Sequence, residues 1–295
     1  MKIVTHNVKF HTDDVFAVAT LLIKYPGSEV ARTRDEELIK TADIVVDVGG
    51  VYDPEKNLFD HHQPGGAGVR ESGVPYASFG LVWKKFGEEL CGSKEVAERI
   101  DFRIIQTIDA GDVGMDLFTS SIPQLHPYSI IGLTDLFRPT WQEGEDYDGS
   151  FRRAVSWAQG VLERIIKIEK DNKIAQEIIV KAYNNSINKN LIIVDSEIPL
   201  GREIVNGVLS NYPEPIYAVL FRKDHQSWQL LAINKDSSTY TCRKYLPESW
   251  RSKSGEELEK ATGVPGSIFC HSSGFMCVAK TKEGALELAQ IALRA

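Results

Sequence analysis

Through the first hundred residues, short β-branched runs alternate with longer segments whose apolar residues recur every three or four positions. The strand-like runs are KIVTH, SEVARTR and ADIVVDV, and the helical patterns between them are TDDVFAVATLLIKY and DEELIKT. This alternation is typical of a parallel sheet with helices on both faces, because each pair of parallel strands needs a crossover connection. We therefore predict an α/β fold here, with a further strand at 57–60.

Helical patterns resume after a loop that is rich in glycine and proline. Residues 76–90 and 93–112 both carry apolar residues at spacings of three and four. The second segment reads as one continuous helix, in which residues four apart lie on the same face. Asp101 and Asp109 therefore share a predicted stripe, and Asp112 follows within a turn.

The second half of the chain begins with long helical patterns and then returns to strands. Residues 147–190 read as one or two long, charged helices with an apolar stripe. Strand-like runs follow at 191–200, 215–224 and 227–236, and a final helix is predicted at 283–295. The last two strands suggest a hairpin across His225 to Ser227.

The length of 295 residues exceeds the usual size of one domain, so two domains are expected. We predict an N-terminal α/β domain at 1–150, a helical connector at 151–189 and a smaller α/β domain at 190–295. Each domain is long enough to bury a core of its own.

Composition and charge narrow the classes of function. A formal net charge of −7 argues against a protein that coats long nucleic acid through a basic surface, although short anionic substrates held by metal ions remain possible. The four cysteines have no spacing typical of a zinc knuckle or a disulfide framework, so buried, reduced thiols are expected. The first residues resemble neither a signal peptide nor a membrane span, and a cytoplasmic protein without a membrane partner is the default expectation.

Histidines and aspartates stand where the predicted strands end. His6 ends the first strand pattern, Asp47 ends ADIVVDV, and Asp60, His61 and His62 end the next. In open parallel sheets ligands bind beyond the carboxyl ends of the strands, so these residues are expected to converge.

His11 and Asp13 follow the first strand and belong to the same predicted rim, and Asp109 could reach it from its helix. Taken alone, each of these residues is more simply a surface histidine or a turn former. Five segments that offer ligands on one rim favour a metal site. Mixed nitrogen and oxygen ligands suit Mn²⁺, or Co²⁺, Fe²⁺ or Zn²⁺, better than Ca²⁺. Two such ions about 3.5–4 Å apart are the usual apparatus for phosphoester hydrolysis.

The motifs also carry a family resemblance. The run FDHHQ at 59–63, preceded by VDVGG at 46–50, resembles the DHH phosphoesterase superfamily. More narrowly, the chain is similar to the Myg family, named for a melanocyte-proliferating gene. The segments that carry this similarity span nearly the whole chain: THNVKFHTDD, EVARTRD, ADIVVDVGGVYDPEKNLFDHHQ, IDAGD and GVPGSIFCHSSGFMCVAKTKEGALELA.

The resemblance implies a DHH-type catalytic domain, a helical linker and a C-terminal substrate-binding domain. It implies two divalent ions, expected to be Mn²⁺ with Mg²⁺ among the alternatives. One ion would be held by His6, His11 and Asp47, and the other by Asp13, Asp47, His61 and Asp109. Asp60 would orient a histidine, and His62 would face the phosphate or the leaving oxygen. The first motif reads HxxxxHxD where the superfamily commonly has HxxxDxD, which puts magnesium use in doubt.

In the second domain, HSSGF at 271–275 stands where the superfamily has a substrate-grasping turn. His271, Ser272 and Ser273 are its candidate donors, and Arg243 and Arg251 are candidates for charge-assisted contacts. Read without the family, the turn and the arginines are ordinary surface features. Trp228 and Trp250 could stack on bases, but a core role is expected.

The leading hypothesis is a metal-dependent phosphodiesterase or exonuclease that acts on short single-stranded RNA or DNA or on small nucleotides. The Myg resemblance implies attack on RNA from the 3′ end. A pyrophosphatase or nucleotide phosphomonoesterase is the alternative enzyme, and a non-catalytic nucleotide-binding module is the alternative of another class. An oligomer remains possible.

Overall fold

The computed structural model describes residues 1–195 and 199–295. The chain forms two compact units, Met1–Lys170 and Asp171–Ala295. The boundary falls inside a single helix, Tyr147–Asn185, which occupies most of the segment predicted as the connector. Both units combine helices with a five-stranded sheet, so the predicted α/β fold class is confirmed.

The sheet of the first unit is parallel except at one edge. Its strands are β1 (Lys2–Thr5), β2 (Glu29–Arg32), β3 (Ile44–Val46), β4 (Tyr52–Asp53) and β5 (Leu58–Phe59). Their order is β2-β1-β3-β5-β4, and only β4 is antiparallel to its neighbour. The strand predicted at 57–60 is β5. Because β1, β3 and β5 are adjacent and parallel, their carboxyl ends lie at one edge of the sheet.

The helices of this unit are α1 (Thr12–Lys24), α2 (Glu36–Ile39), α3 (Ser78–Cys91), α4 (Lys94–Ile100), α5 (Gln106–Asp112), α6 (Ile130–Asp135) and α7 (Tyr147–Asn185). Helix α1 is the most deeply buried at its beginning, where every residue from Thr12 to Leu21 is inaccessible to solvent. Phe16 of α1 contacts the rings of Phe79 on α3 and Trp157 on α7. Close packing against α3 and α7 thus fixes the position of α1 in the first unit.

The helix predicted at 93–112 is interrupted. A π-helical turn at Asp101–Ile105 separates α4 from α5, and the amide of Gln106 donates to the carbonyl of Asp101, five residues back. A π turn inserts one residue, which rotates the following helix by about 100° relative to a continuous α-helix. Asp101 and Asp109 nevertheless lie on the same side of the helix, since both accept hydrogen bonds from Arg70.

The second unit has a mixed sheet together with the end of α7 and further helices. Its strands are β6 (Leu191–Val194), β7 (Tyr217–Arg222), β8 (Ser227–Ala232), β9 (Ser267–Cys270) and β10 (Met276–Ala279), in the order β6-β7-β8-β10-β9. Only β6 and β7 are parallel. Its helices are α8 (Arg202–Leu209), α9 (Gly255–Thr262) and α10 (Lys282–Arg294).

The strand predictions in this unit were right in kind and too long in extent. The hairpin joins β7 and β8, but its turn occupies Lys223–His225 and Gln226, and Ser227 already belongs to β8. Residues 196–198 of the strand predicted at 191–200 lie outside the described residues. Trp250 is buried in the core of this unit, and the partly buried Trp228 packs against the same core, which favours a core role for both.

All four cysteines are free and buried, as expected. Within the described ranges, none of the helices combines the length and apolar character that crossing a membrane requires.

Two glycines, one inside a helix and one at a helix end, test the backbone conformations described for the first unit. Gly160 lies within α7, and an added Cβ would meet no atom within 4 Å, whereas Gly92 caps α3 at φ +64°. We expect Gly160→Ala to raise the free energy of unfolding by about 0.5–1 kcal/mol, because alanine loses less backbone entropy. Gly92→Ala should lower it by about 1–2 kcal/mol, because Cβ disfavours the left-handed conformation. Urea titration of both variants measures the two effects, and equal shifts would contradict this description.

Candidate metal centre

Three adjacent strand ends bring a carboxylate between two histidines. His6 follows β1, Asp47 follows β3, and His61 lies two residues after β5. The Nε2 atom of His6 lies 3.3 Å from Oδ2 of Asp47, and Nε2 of His61 lies 3.4 Å from Oδ1 of the same residue. Asp47 thus presents one oxygen to each imidazole.

The beginning of α1 adds two buried carboxylates to this edge. Oδ2 of Asp14 lies 3.2 Å from Nε2 of His6, and Oδ2 of Asp13 lies 3.8 Å from Nε2 of His61. The other oxygen of Asp14 accepts a hydrogen bond from the amide of His11 at 2.9 Å. The helix N-terminus favours carboxylates, since its amides are unpaired and its dipole is positive there. Asp14 was not predicted as a site residue, although its pairing with Asp13 in the first turn was a signal.

Helix α5 contributes Asp112 rather than the predicted Asp109. Oδ2 of Asp112 lies 3.2 Å from Nε2 of His61, and its Oδ1 lies 4.0 Å from Nδ1 of His11. Asp109 instead accepts hydrogen bonds from Arg70 at 2.7 Å and from the amide of Gly80 at 3.1 Å. In the structure Asp109 thus pairs with Arg70 and Gly80 rather than with the histidines, and its predicted role as a ligand stays a prediction beside that of Asp112.

The ligand atoms of this edge form three groups, in each of which all atoms lie within 4.8 Å of one another. They are His6, His11 and Asp47; Asp47, His61 and His62; and His11, Asp13 and Asp112. Asp47 and His11 each belong to two groups. We name this whole set, together with Asp14, the candidate metal centre.

Several buried atoms of this centre have no hydrogen-bond partner among the described residues. They are both carboxylate oxygens of Asp13, one oxygen each of Asp14 and Asp47, and Nε2 of His6 and of His61. The imidazoles and carboxylates lie within ion-pair distance of one another, at 3.2–3.8 Å, but do not form hydrogen bonds. Burying polar or charged atoms without partners is costly, and buried charges in proteins are normally paired or bound to metals. The donor set therefore fits divalent cations that accept imidazole and carboxylate ligands.

The pKa values show how strongly the carboxylates act on the histidines. Burial alone would lower the pKa of His6, but Asp14 and Asp47 raise it to about 10. Burial would likewise lower the pKa of His61, but the carboxylates of Asp112 and Asp47 raise it to about 10. Burial raises the pKa of Asp13 well above its usual value, and the neighbouring carboxylates add to the effect. A bound cation would compete with protons for these groups, because metal ligands must be deprotonated.

The backbone is strained where it enters the centre. Asp47 has φ of +55°, and Val8, between His6 and His11, has φ of +67°. A β-branched residue rarely adopts this conformation. Arg32 donates to the carbonyl of Val8 at 2.8 Å, which holds the loop in place.

The carbonyl of Asn7 accepts a hydrogen bond from Arg34 at 2.7 Å and lies 3.1 Å from Nδ1 of His6. A proton on Nδ1 leaves Nε2 of His6 as the atom that faces the carboxylates.

Asp60 holds His62 rather than His61. Its Oδ1 lies 2.7 Å from Nδ1 of His62 and accepts the amide hydrogen of the same residue at 3.0 Å, while Oδ2 accepts from the amide of Gly50 at 2.5 Å. The side chain of His62 is 58% exposed, and its Nδ1 lies 3.5 Å from Asp47. Asp60 thus fixes the ring of the more exposed histidine of the pair.

Arg243 is tied to the backbone of its own unit. Its guanidinium donates to the carbonyl of Pro215 at 2.8 Å and to the carbonyl of Ser210 at 2.8 Å, and burial lowers its pKa. These bonds join three segments of the second unit. Arg243 therefore stabilises the fold through these donors, and its predicted contact with substrate stays a prediction.

Arg251 supports the turn that holds His271. Nε of Arg251 donates to the carbonyl of Leu246, and an added Cβ on Gly274 would lie only 2.6 Å from that nitrogen. Nδ1 of His271 lies 2.7 Å from Oγ of Ser273, and its ring lies 4.5 Å from that of Phe275. Arg251 therefore supports this turn through Nε, and its predicted contact with substrate stays a prediction, as do those of His271, Ser272 and Ser273.

A groove of about 540 Å³ lies beside this turn in the second unit. Ser273 and Phe275 line it together with Arg202, Asn234 and Tyr245, and the Arg202 guanidinium lies 4.9 Å from the centre of the Phe275 ring. Neither Arg202 nor Tyr245 was predicted as a site residue, and the sequence carried no motif that singles them out.

Fold and site together define an α/β protein with a candidate centre for divalent ions at the carboxyl ends of parallel strands. The family model described as Uncharacterised protein family (UPF0160), the MYG1 model, matches residues 2–293, and the chain therefore belongs to the MYG1 family. The predicted Myg resemblance is confirmed.

Relatives match along nearly the entire chain. A MYG1 protein of Schizosaccharomyces pombe is 30% identical over 99% of this chain and 97% of its own length. The proteins named MYG1 exonuclease from Homo sapiens and Rattus norvegicus are 28% and 29% identical, over 99% of this chain and 85% and 84% of theirs.

Replacing Asp112 tests its place in the ligand set. We expect Asp112→Asn to weaken binding of the ion near His61 while an ion near His6 is retained, because the amide offers no negative charge. Titration with Mn²⁺ measures the stoichiometry, and Asp116→Asn, an exposed acid of the same segment, is the matched control. Unchanged binding in Asp112→Asn would contradict a role for Asp112 as a ligand.

Arg243 offers a test of the second unit. We expect Arg243→Ala to lower the stability of that unit by about 1–3 kcal/mol, because two carbonyls lose their donor. Arg202→Ala, which removes an arginine beside the groove, should change stability by less than about 0.5 kcal/mol. Thermal unfolding compares them, and an unchanged melting temperature in Arg243→Ala would contradict its role in stabilising the fold.

Proposed function

We propose that this protein is a metal-dependent exonuclease that hydrolyses short single-stranded RNA or DNA. The observation that carries the proposal is the buried Asp47, which faces imidazoles on both sides in a cluster with unpaired carboxylate oxygens. The name exonuclease, which the human and rat relatives bear, supports nucleic acid as the substrate.

The three ligand groups overlap at Asp47 and at His11, which supports two neighbouring ions that share Asp47. His6, His11 and Asp47 would hold one ion, and Asp13, Asp47, His61 and Asp112 would hold the other. Such ions supply a nucleophilic water at neutral pH and neutralise charge on the phosphoryl oxygens. We propose Mn²⁺ as the physiological ion, because the imidazole content of the first group is poorly suited to Mg²⁺.

The chain itself orients the reacting groups around these ions. Asp60 binds Nδ1 of His62, so the ring has one fixed orientation and Nε2 remains for a phosphate or leaving oxygen. The exposure of His62 makes it accessible to a substrate that approaches the centre from solvent.

We assign the second unit to binding the parts of the substrate that do not react. The turn at 271–275 offers hydroxyl and imidazole groups, and Phe275, Tyr245 and Arg202 line the adjacent groove. Aromatic and guanidinium groups suit nucleobases, because every base presents a face for stacking. The groove therefore favours a nucleotide chain over pyrophosphate, which has no base.

The test uses the full chain loaded with Mn²⁺ and end-labelled single-stranded RNA and DNA oligonucleotides. We expect a ladder of products shortened from one end, loss of activity with a chelator and recovery when Mn²⁺ is restored. Asp47→Ala should be inactive. Release of phosphate from pyrophosphate or from nucleoside monophosphates, with intact oligonucleotides, would overturn the exonuclease in favour of those enzymes. Metal binding without turnover of any of these substrates would indicate a non-catalytic module.

Replacing His62 tests whether this histidine acts in turnover rather than in metal binding. We expect His62→Ala to retain both ions but to lower the maximal rate by roughly 10²-fold to 10³-fold, as removal of one charge-stabilising donor does. His126→Ala, at an exposed histidine outside the centre, should have no effect on either quantity. Elemental analysis and steady-state rates measure both, and loss of an ion in His62→Ala would make this histidine a ligand.

A further inference from the structure

Arg70 is a buried arginine of the glycine-rich loop that follows His61 and His62. Its side chain is only 5% exposed, and its guanidinium lies 3.9 Å from the centre of the Tyr76 ring. Arginine is rarely buried unless its charge is paired. Here two carboxylates provide that pairing.

The two carboxylates lie on either side of the π turn. Nε and Nη2 of Arg70 donate to both oxygens of Asp101, at 3.1 and 2.8 Å, and Nη2 also donates to Asp109 at 2.7 Å. Asp101 begins the π turn and Asp109 lies in α5 beyond it. One guanidinium therefore connects the residues before and after the irregularity.

Helix α3 holds the same carboxylate from the other side. The amide of Gly80 donates to Oδ1 of Asp109, and an added Cβ on Gly80 would lie 1.9 Å from Oδ2 of Asp109 and 2.3 Å from Nη2 of Arg70. A glycine is thus required for α3 to come this close. Arg70, Gly80 and Asp109 form one packed contact, which we call the α5 clamp.

The clamp lies one helical turn from a candidate ligand. Asp112 follows Asp109 by three residues in α5, about 4.5 Å along the helix axis, and it lies 3.2 Å from His61. The direction in which Asp112 points depends on the rotation of α5, which a contact outside the helix can fix. The clamp provides this contact, and its arginine comes from the loop that begins at His61 and His62.

We propose that Arg70 is a positioning residue that sets the rotation of α5 so that Asp112 completes the ion site around His61. The inference rests on the proposed function in that it assumes two ion positions. Arg70 does not contact the ligands itself, and it acts through Asp101 and Asp109. The site at His6, His11 and Asp47 meets α5 only where Asp112 lies 4.0 Å from His11, so it should depend on the clamp much less than the site around His61.

The test is a titration of the full chain with Mn²⁺ alone, in which the free ion is followed by electron paramagnetic resonance. We expect Arg70→Lys, which keeps the charge but cannot bridge both carboxylates, to bind one equivalent normally and the other roughly 10-fold to 100-fold more weakly. Gly80→Ala should have the same effect, because its methyl group separates Arg70 from Asp109.

Two control variants match these changes elsewhere in the first unit. Arg99→Lys alters an arginine that pairs with the buried Glu169, and Gly160→Ala adds a methyl group to a helix in open space. Both should bind two equivalents like the unchanged protein. Melting temperatures of all four variants show whether loss of the ion follows from general loss of stability.

Unchanged binding of both equivalents in Arg70→Lys or in Gly80→Ala would overturn the role of the clamp and leave the exonuclease proposal intact. Equal weakening of both equivalents would also overturn it, because the effect would then be structural. If the unchanged protein bound no Mn²⁺, both the clamp and the proposed function would fail.

Discussion

The contact between the Asp47 carboxylate and the two imidazoles on either side of it is the constraint on which the first unit depends. A carboxylate in this position needs positive charge on both sides, because no bulk water reaches it to solvate the charge. The adjacent strand ends that carry His6 and His61 supply that charge, and the buried first turn of α1 adds Asp13 and Asp14 beside it. A parallel sheet with this strand order can bring three such segments together, and the unusual φ of Asp47 accompanies that convergence.

Residues that directly follow strands were predictable, because the end of a strand fixes where the next side chain lies. His6, Asp47 and His61 could thus be placed at one edge from the alternation of strands and helices alone. Residues on α5 could not. Their placement depends on a π turn, for which the sequence 93–112 has no local signal, and on Arg70, whose partners are 31 and 39 residues away. Helical periodicity therefore identified the helix, whereas the carboxylate that the structure places beside His61 is Asp112, three residues beyond Asp109.

In the second unit, too, the role of a side chain depends on tertiary contacts that the sequence does not reveal. Its arginines had the right chemistry for an anionic ligand, but carbonyl groups of the backbone are equally good acceptors. Arg243 binds such carbonyls from segments that are distant in sequence, and only the fold reveals this. The lining of the groove by Arg202 likewise arises from tertiary packing, since Arg202 belongs to no motif, whereas Phe275 ends the turn HSSGF.

The long helix α7 links the order of synthesis to the maturation of the centre. All residues of the candidate metal centre lie between positions 6 and 112, yet the core beneath α1 includes Phe151, Ala158 and Leu162 from the first half of α7. During translation, a nascent chain that ends before α7 would carry every ligand but would leave the ring of Phe16 without its contact to Trp157. The ligands are therefore complete long before the scaffold that holds them rigid, and the ribosome must deliver more than half of the chain before the centre reaches its final geometry.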